Sequence, residues 1–130
     1  MQPQKNPLTD KNTEIANDVL AHVNSGATDD SPLWAKHWSP DCVSVEGDGM
    51  EHAGLEAIKE KHAQWYGMVT MHSFSAEGPY VGPDGFAIKF TMDIEAKDGS
   101  WPRMNMSEIA YYTVSGGKVV RESFMGPPMG

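Results

Sequence analysis

The chain has 130 residues and a mass of 14.2 kDa, enough for one compact domain that builds its core without metal or disulfide staples. Apolar residues make up 39% and charged residues 22%, which argues against wholesale disorder and against a membrane-embedded chain. Acids outnumber bases 18 to 10, for a formal net charge of −8. Such a chain repels phosphate backbones and acidic headgroups, so nucleic acid and membrane surfaces are not expected partners. No stretch approaches the ~20 apolar residues of a spanning helix. Met1 to Asp10 is polar and lacks the features of a signal peptide, so the expected location is the cytoplasm. Cys42 is the only cysteine, which excludes an internal disulfide and any multi-cysteine metal site.

Residues 1–9 read as a loose arm, followed by a single domain over 10–126 and a tail at 127–130. Ile15, Ala16, Val19, Leu20 and Val23 recur at helical spacing, predicting a first helix over about 11–25 that Asn24-Ser25-Gly26 stops. Ser31-Pro32 opens a second helix with Ser31 as its cap, and Pro40 ends it. Cys42 to Glu46 is a short strand closed by Gly47-Asp48-Gly49. A third helix runs from Gly54 to Gly67 with Leu55, Ile58, His62 and Trp65 on one stripe. The period then changes to two. Strands are expected over about 70–79, 85–96, 102–114 and 118–125, separated by Gly- and Pro-rich turns. Consecutive strands with short turns form an antiparallel meander, and three helices gathered before it should cover one face. The expected class is therefore α+β, a curved, mainly antiparallel sheet with helices on its concave side.

Phe86, Ile88, Phe90, Met92 and Ile94 alternate with polar residues, so their face is the covered one. The next strand groups Met104, Met106, Glu108, Ala110, Tyr112 and Val114. For the last hairpin, a loop Ser115 to Gly117 with a bulge pairs Tyr112 with Val120, Ala110 with Glu122 and Glu108 with Phe124. A tighter Gly116-Gly117 turn shifts the register by one and sends Glu122 to the other face. The longer loop is preferred because it turns Val120 and Phe124 inward. It also leaves Glu108 and Glu122 on an apolar face. Burying an ionised carboxylate without partners costs on the order of several kcal/mol, so that face must open to water or ligand, or pair the acids.

Three stretches in this order, Trp38 to Glu46, Gly54 to Ile58 and Gly116 to Val120, resemble the nuclear transport factor 2-like superfamily. Its members include the SnoaL-like polyketide cyclases and the steroid delta-isomerases. The resemblance spans about residues 10–126 and implies a cone-shaped α+β barrel with an internal cavity. It also implies a homodimer formed through the outer sheet face, where Ile109, Tyr111, Thr113, Val119 and Met125 would lie. On the isomerase pattern Glu46 falls at the proton-shuttling base and His62 at a supporting tyrosine. Val19 and Ala110 stand where that pattern has its two oxyanion donors. Glu122, across from Ala110 in the preferred register, brings a carboxyl group to the vacant place by geometry alone.

The fold implied covers isomerases, dehydratases, cyclases, carriers and dimerisation modules. Three readings stay open: a cofactor-free acid/base enzyme on a small, largely apolar molecule, a non-catalytic binder of such a molecule, and an adaptor with an incidental cavity. For the enzyme, Glu46 is the candidate base, with His62, Glu122 and Tyr112 as candidate donors, and a His62–Glu46 hydrogen bond would make a proton relay. Trp34, Trp38, Ile58, Trp65, Phe90, Met92, Met106, Glu108, Ala110 and Phe124 are the candidate ligand-binding wall. The bland reading makes His62 a core residue, Glu46 a solvated strand end, and the aromatics ordinary core. His22, His37, His52, His62 and His72 show no metal-ligand spacing, Asp48 and His52 read as a solvated loop, and Cys42 has no activating partner. Neither a metal nor a cofactor is expected.

Overall fold

The computed structural model describes residues 7–127 and contains three helices and a six-stranded sheet. The helices are α1 (Pro7–Asn24), α2 (Ser31–His37) and α3 (Leu55–Met68). The strands are β1 (Trp38–Val45), β2 (Glu51–Ala53), β3 (Val69–Gly82), β4 (Gly85–Ala96), β5 (Met104–Ser115) and β6 (Lys118–Met125). The sheet order is β2-β1-β6-β5-β4-β3, antiparallel throughout except for the β1–β6 pair. This is the expected cone-shaped α+β architecture. No helix among the described residues is long and apolar enough to cross a membrane.

Pro7 to Thr9 belong to the first turn of α1 rather than to a loose arm, and Thr9 is buried. Proline is tolerated there because the first helical N–H groups have no intrahelical partner. Two asparagines hold α1 along the sheet. Asn12 donates its side-chain amide to the carbonyls of Gly82 (2.8 Å) and Pro83 (3.2 Å) in the β3–β4 turn. Asn24 donates to the carbonyl of Ala76 and accepts from its N–H. Between them Ile15, Ala16, Val19 and Val23 face the core. Ser31 is the first helical residue of α2, and Asp30 occupies the cap position without a side-chain cap bond. Asp18 on α1 binds α2 through Lys36 Nζ (3.0 Å) and the buried His37 Nε2 (2.7 Å).

β1 starts at Trp38, so Pro40 lies within a strand instead of merely ending a helix. The β1–β6 register breaks between Trp38 and Val43, and a residue without an N–H fits that irregular stretch. The β2 strand was not expected. At three residues it is too short for periodicity to show, and pairing with Val43 to Val45 creates it. In β4 the inward residues Phe86, Ile88, Phe90, Met92 and Ile94 are all buried, as their alternation requires. Each such side chain contributes ~1.5–3 kcal/mol when fully buried.

The last hairpin corrects the expected register. Ser115 pairs with Lys118 around a two-residue turn in which Gly116 and Gly117 both have positive φ (59° and 76°), the conformation that favours glycine. Val114 then pairs with Val119 and Thr113 with Arg121, so Val120 is an extra, bulged residue. The bulge undoes the one-residue shift of the tight turn. Glu122 therefore stays on the inner face, opposite Tyr112 rather than Ala110, while Ala110 pairs with Phe124. Val119, not Val120, is the fully buried valine, so Val119 does not belong to the outer face. Ile109, Tyr111 and Met125 are exposed there.

Candidate functional site

A cavity of about 430 Å³ opens between the helices and the concave sheet. Its wall is mainly aromatic and aliphatic, as ligand pockets usually are. Trp34, Trp38, Ile58, Trp65, Phe90, Met92, Met106, Glu108 and Phe124 line it, together with Glu46, His62, Tyr112 and Glu122. Ala110 does not. It is fully buried on β5, because the bulged register carries it past Glu122 to Phe124.

Glu122 is the most enclosed acid of the site, 6% exposed. Its Oε1 accepts a 2.9 Å hydrogen bond from Trp38 Nε1. Burial pushes its carboxyl above the ordinary glutamate range. The Trp38 bond and the Lys61 ammonium oppose that rise, and Asp30 adds to it. Tyr112, paired with Glu122 across the hairpin, stacks on Phe86 and meets Trp38 edge-on. Burial, with the neighbouring Glu122 charge, lifts its phenol well above the usual range, so it stays an O–H donor. Glu108 is likewise raised, by burial first, with Lys61 opposing and Glu46 and Glu122 adding.

Glu46 at the end of β1 is held by Lys61 Nζ at 2.8 Å and lies 3.4 Å from His52 Nε2. The same ammonium donates to Ser44 Oγ at 2.7 Å and sits 4.4 Å from the Phe124 ring centre. His62 is directed elsewhere than the expected relay partner. Its Nε2 lies 3.3 Å from Asp30 Oδ2, while Glu46 is paired with Lys61 and His52. The physical reason is the α2 entry: with Ser31 inside the helix, the Asp30 carboxylate is left uncapped and turned toward α3. Trp34 meets the His62 ring edge-on and Tyr66 lies 4.8 Å from it.

Asp30 and Lys61 are site residues that sequence reasoning missed, and His52, read there as part of a solvated loop, also lines the cavity. For Lys61 a signal existed. It lies three residues after Ile58, on the same helical face as the apolar stripe. Asp30 sits in a loop without periodicity and carried no such signal. Cys42 is buried and its thiol is pushed up to about 12, by burial first and the Glu122 charge second. Among the described residues no three His, Cys, Asp or Glu side chains converge as a metal site.

A SnoaL-like domain family matches residues 35–125, and the chain belongs to that family. Among solved structures, a Mesorhizobium loti protein classed as a SnoaL-like polyketide cyclase is 33% identical. The match covers 86% of this chain and 96% of that one, with a TM-score of 0.76. A protein of the same class from Jannaschia is 15% identical over 95% of this chain and 90% of its own, with a TM-score of 0.76. A Bacillus subtilis protein classed as an isomerase is 18% identical over 95% and 91%, with a TM-score of 0.69. The last two likenesses concern the fold. No curated protein matches the sequence.

Proposed function

We propose that the cone binds a small, largely apolar organic molecule and moves a proton on it without a cofactor, as isomerases, dehydratases and cyclases do. One observation carries this reading: a single apolar cavity is lined both by an imidazole–carboxylate pair, His62 and Asp30, and by a buried acid, Glu122. Two titratable groups whose surroundings differ in this way suit the roles of base and acid. His62 is the base and Asp30 orients it. Burial pushes the Glu122 carboxyl toward its protonated form, the form that donates to the ligand oxygen, with Tyr112 beside it. Glu46 is occupied by Lys61 and His52, so its part is to position Lys61 rather than to take the proton.

The test starts with thermal stabilisation by a panel of hydrophobic ketones, enones and hydroxy acids. For a compound that is turned over, His62→Gln should slow the reaction by ~100- to 10,000-fold. Equal turnover by wild type and His62→Gln refutes this mechanism. Stabilisation without turnover favours a non-catalytic binder. A panel with no stabilising compound favours the adaptor.

A further inference from the structure

Glu108 is the cavity acid that the proposed mechanism leaves unused, and among the described residues it has neither a hydrogen bond nor an ion pair. The other lining acids are engaged. Glu122 accepts from Trp38, Glu46 is paired with Lys61, and Asp30 faces His62. Lys61 is the one ammonium among the described residues of the wall, and it is committed elsewhere. Its Nζ donates to Glu46 and Ser44 and lies over the Phe124 ring. Glu108 is half-buried, with its charge incompletely solvated and no partner to offset that.

The surroundings of this carboxyl are aromatic. Phe90 stands directly across the β4–β5 pair from Glu108, and Phe74 packs on Phe90 with ring centres 5.3 Å apart. Both rings line the cavity, as does Phe124, which already carries the Lys61 ammonium 4.4 Å from its centre. Ring faces attract cations, and more strongly where water is excluded. The charge of the wall has the same sense: Asp30, Glu46, Glu108 and Glu122 stand against the ammonium of Lys61. A carboxylate on the ligand would meet these acids at close range. A ligand bearing only carbonyl oxygens would give the Glu108 carboxylate nothing to accept from.

We propose that the ligand is an apolar molecule carrying a protonated amine, and that Glu108 selects it by accepting an N–H from the ammonium beside the Phe90 and Phe74 rings. This rests on the proposed function for a small molecule in the cone, and adds its chemical class. Glu108 binds and orients the ligand, while proton transfer stays with His62 and Glu122.

The test is calorimetric titration at neutral pH with matched amines and alcohols: benzylamine, phenylbutylamine and adamantylamine against benzyl alcohol, phenylbutanol and adamantanol. In the wild type the amines should bind roughly tenfold tighter than their alcohols, since a charge-assisted hydrogen bond is about twice as strong as a neutral one. Glu108→Gln keeps the shape and a hydrogen-bonding end but loses the charge, so it should erase that preference and leave the alcohols as they were. If Glu108→Gln does not fold, the wild type gives a second reading: the Glu108 side-chain ¹³C carboxyl resonance should move along the amine binding curve. The proposal is overturned by amines that fail to bind at millimolar concentration or bind no tighter than their alcohols. It is equally overturned by a preference that survives in Glu108→Gln, or by a Glu108 resonance that the amines leave in place. Turnover of a neutral ketone without any amine preference would remove this inference and keep the proposed function. Amine preference without turnover of any compound would do the reverse.

Discussion

The indole of Trp38, the first residue of β1, donates to the carboxyl of Glu122 in β6 across 2.9 Å. This bond ties the strand that follows α2 to the strand that carries the buried acid. It also satisfies one oxygen of a buried carboxyl, which Ser44 on β1 supports as well. Trp38→Phe keeps most of the ring and removes the donor. Leaving a buried acceptor unsatisfied costs about 1–3 kcal/mol, which urea denaturation at neutral pH should read as lost stability. The Glu122 carboxyl should also titrate at higher pH in this variant, because the lost bond favoured the charged form. An unchanged ¹³C titration of that carboxyl contradicts this account.

Stability should fall as pH rises above the ordinary glutamate value. Glu122 and Glu108 are both raised in the folded protein. Between the unfolded and the folded titration the native state binds more protons than the unfolded chain, so raising pH removes stability across that window. Glu122→Gln cannot ionise and should flatten the dependence, gaining most relative to wild type on the alkaline side. The check is a series of urea melts from acid to mildly alkaline pH. A wild type that gains stability steadily through the window would reverse the assigned sign.

Cys42 should be inert in the native protein. It is buried, and its thiol is pushed up to about 12 by burial and by the Glu122 charge. The thiolate is the reactive form, so alkylation by iodoacetamide near pH 8 should be much slower in the folded protein than in urea. Labelling at the same rate in both states would show an open or ionised thiol.

We propose that two copies associate through the outer sheet face. Ile109 and Tyr111 on β5 and Met125 on β6 are 45%, 39% and 53% exposed. Contiguous apolar surface of this kind commonly marks an interface. Sedimentation should give a dimer at micromolar concentration, and Ile109→Glu should shift it toward monomer. A wild-type monomer under those conditions ends the proposal.

The α+β class, the helical cover and the inward face of β4 were legible in the sequence because each rests on local periodicity. Phe86 to Ile94 alternate at the strand period, and Ile15 to Val23 repeat at the helical one, so burial of each set follows from one element alone. The apolar wall of the cavity was legible for the same reason. The pairing of polar groups was not. Two arrangements of the last hairpin were written in the same glycines, and a bulge at Val120 returned Glu122 to the inner face even though the turn was the tight one. The bulged strand pairs on both sides, with β5 and with the parallel β1, a setting that no single strand's pattern carries. Likewise His62 was readable as a residue of the inner stripe of α3. Its facing Asp30 rather than Glu46 depends on how the α1–α2 loop packs against α3, and on Lys61 reaching Glu46 and Ser44 first. Periodicity sets which face a side chain occupies, whereas hydrogen bonds and ion pairs act over a few ångströms between elements far apart in sequence. Only the tertiary structure brings those atoms together.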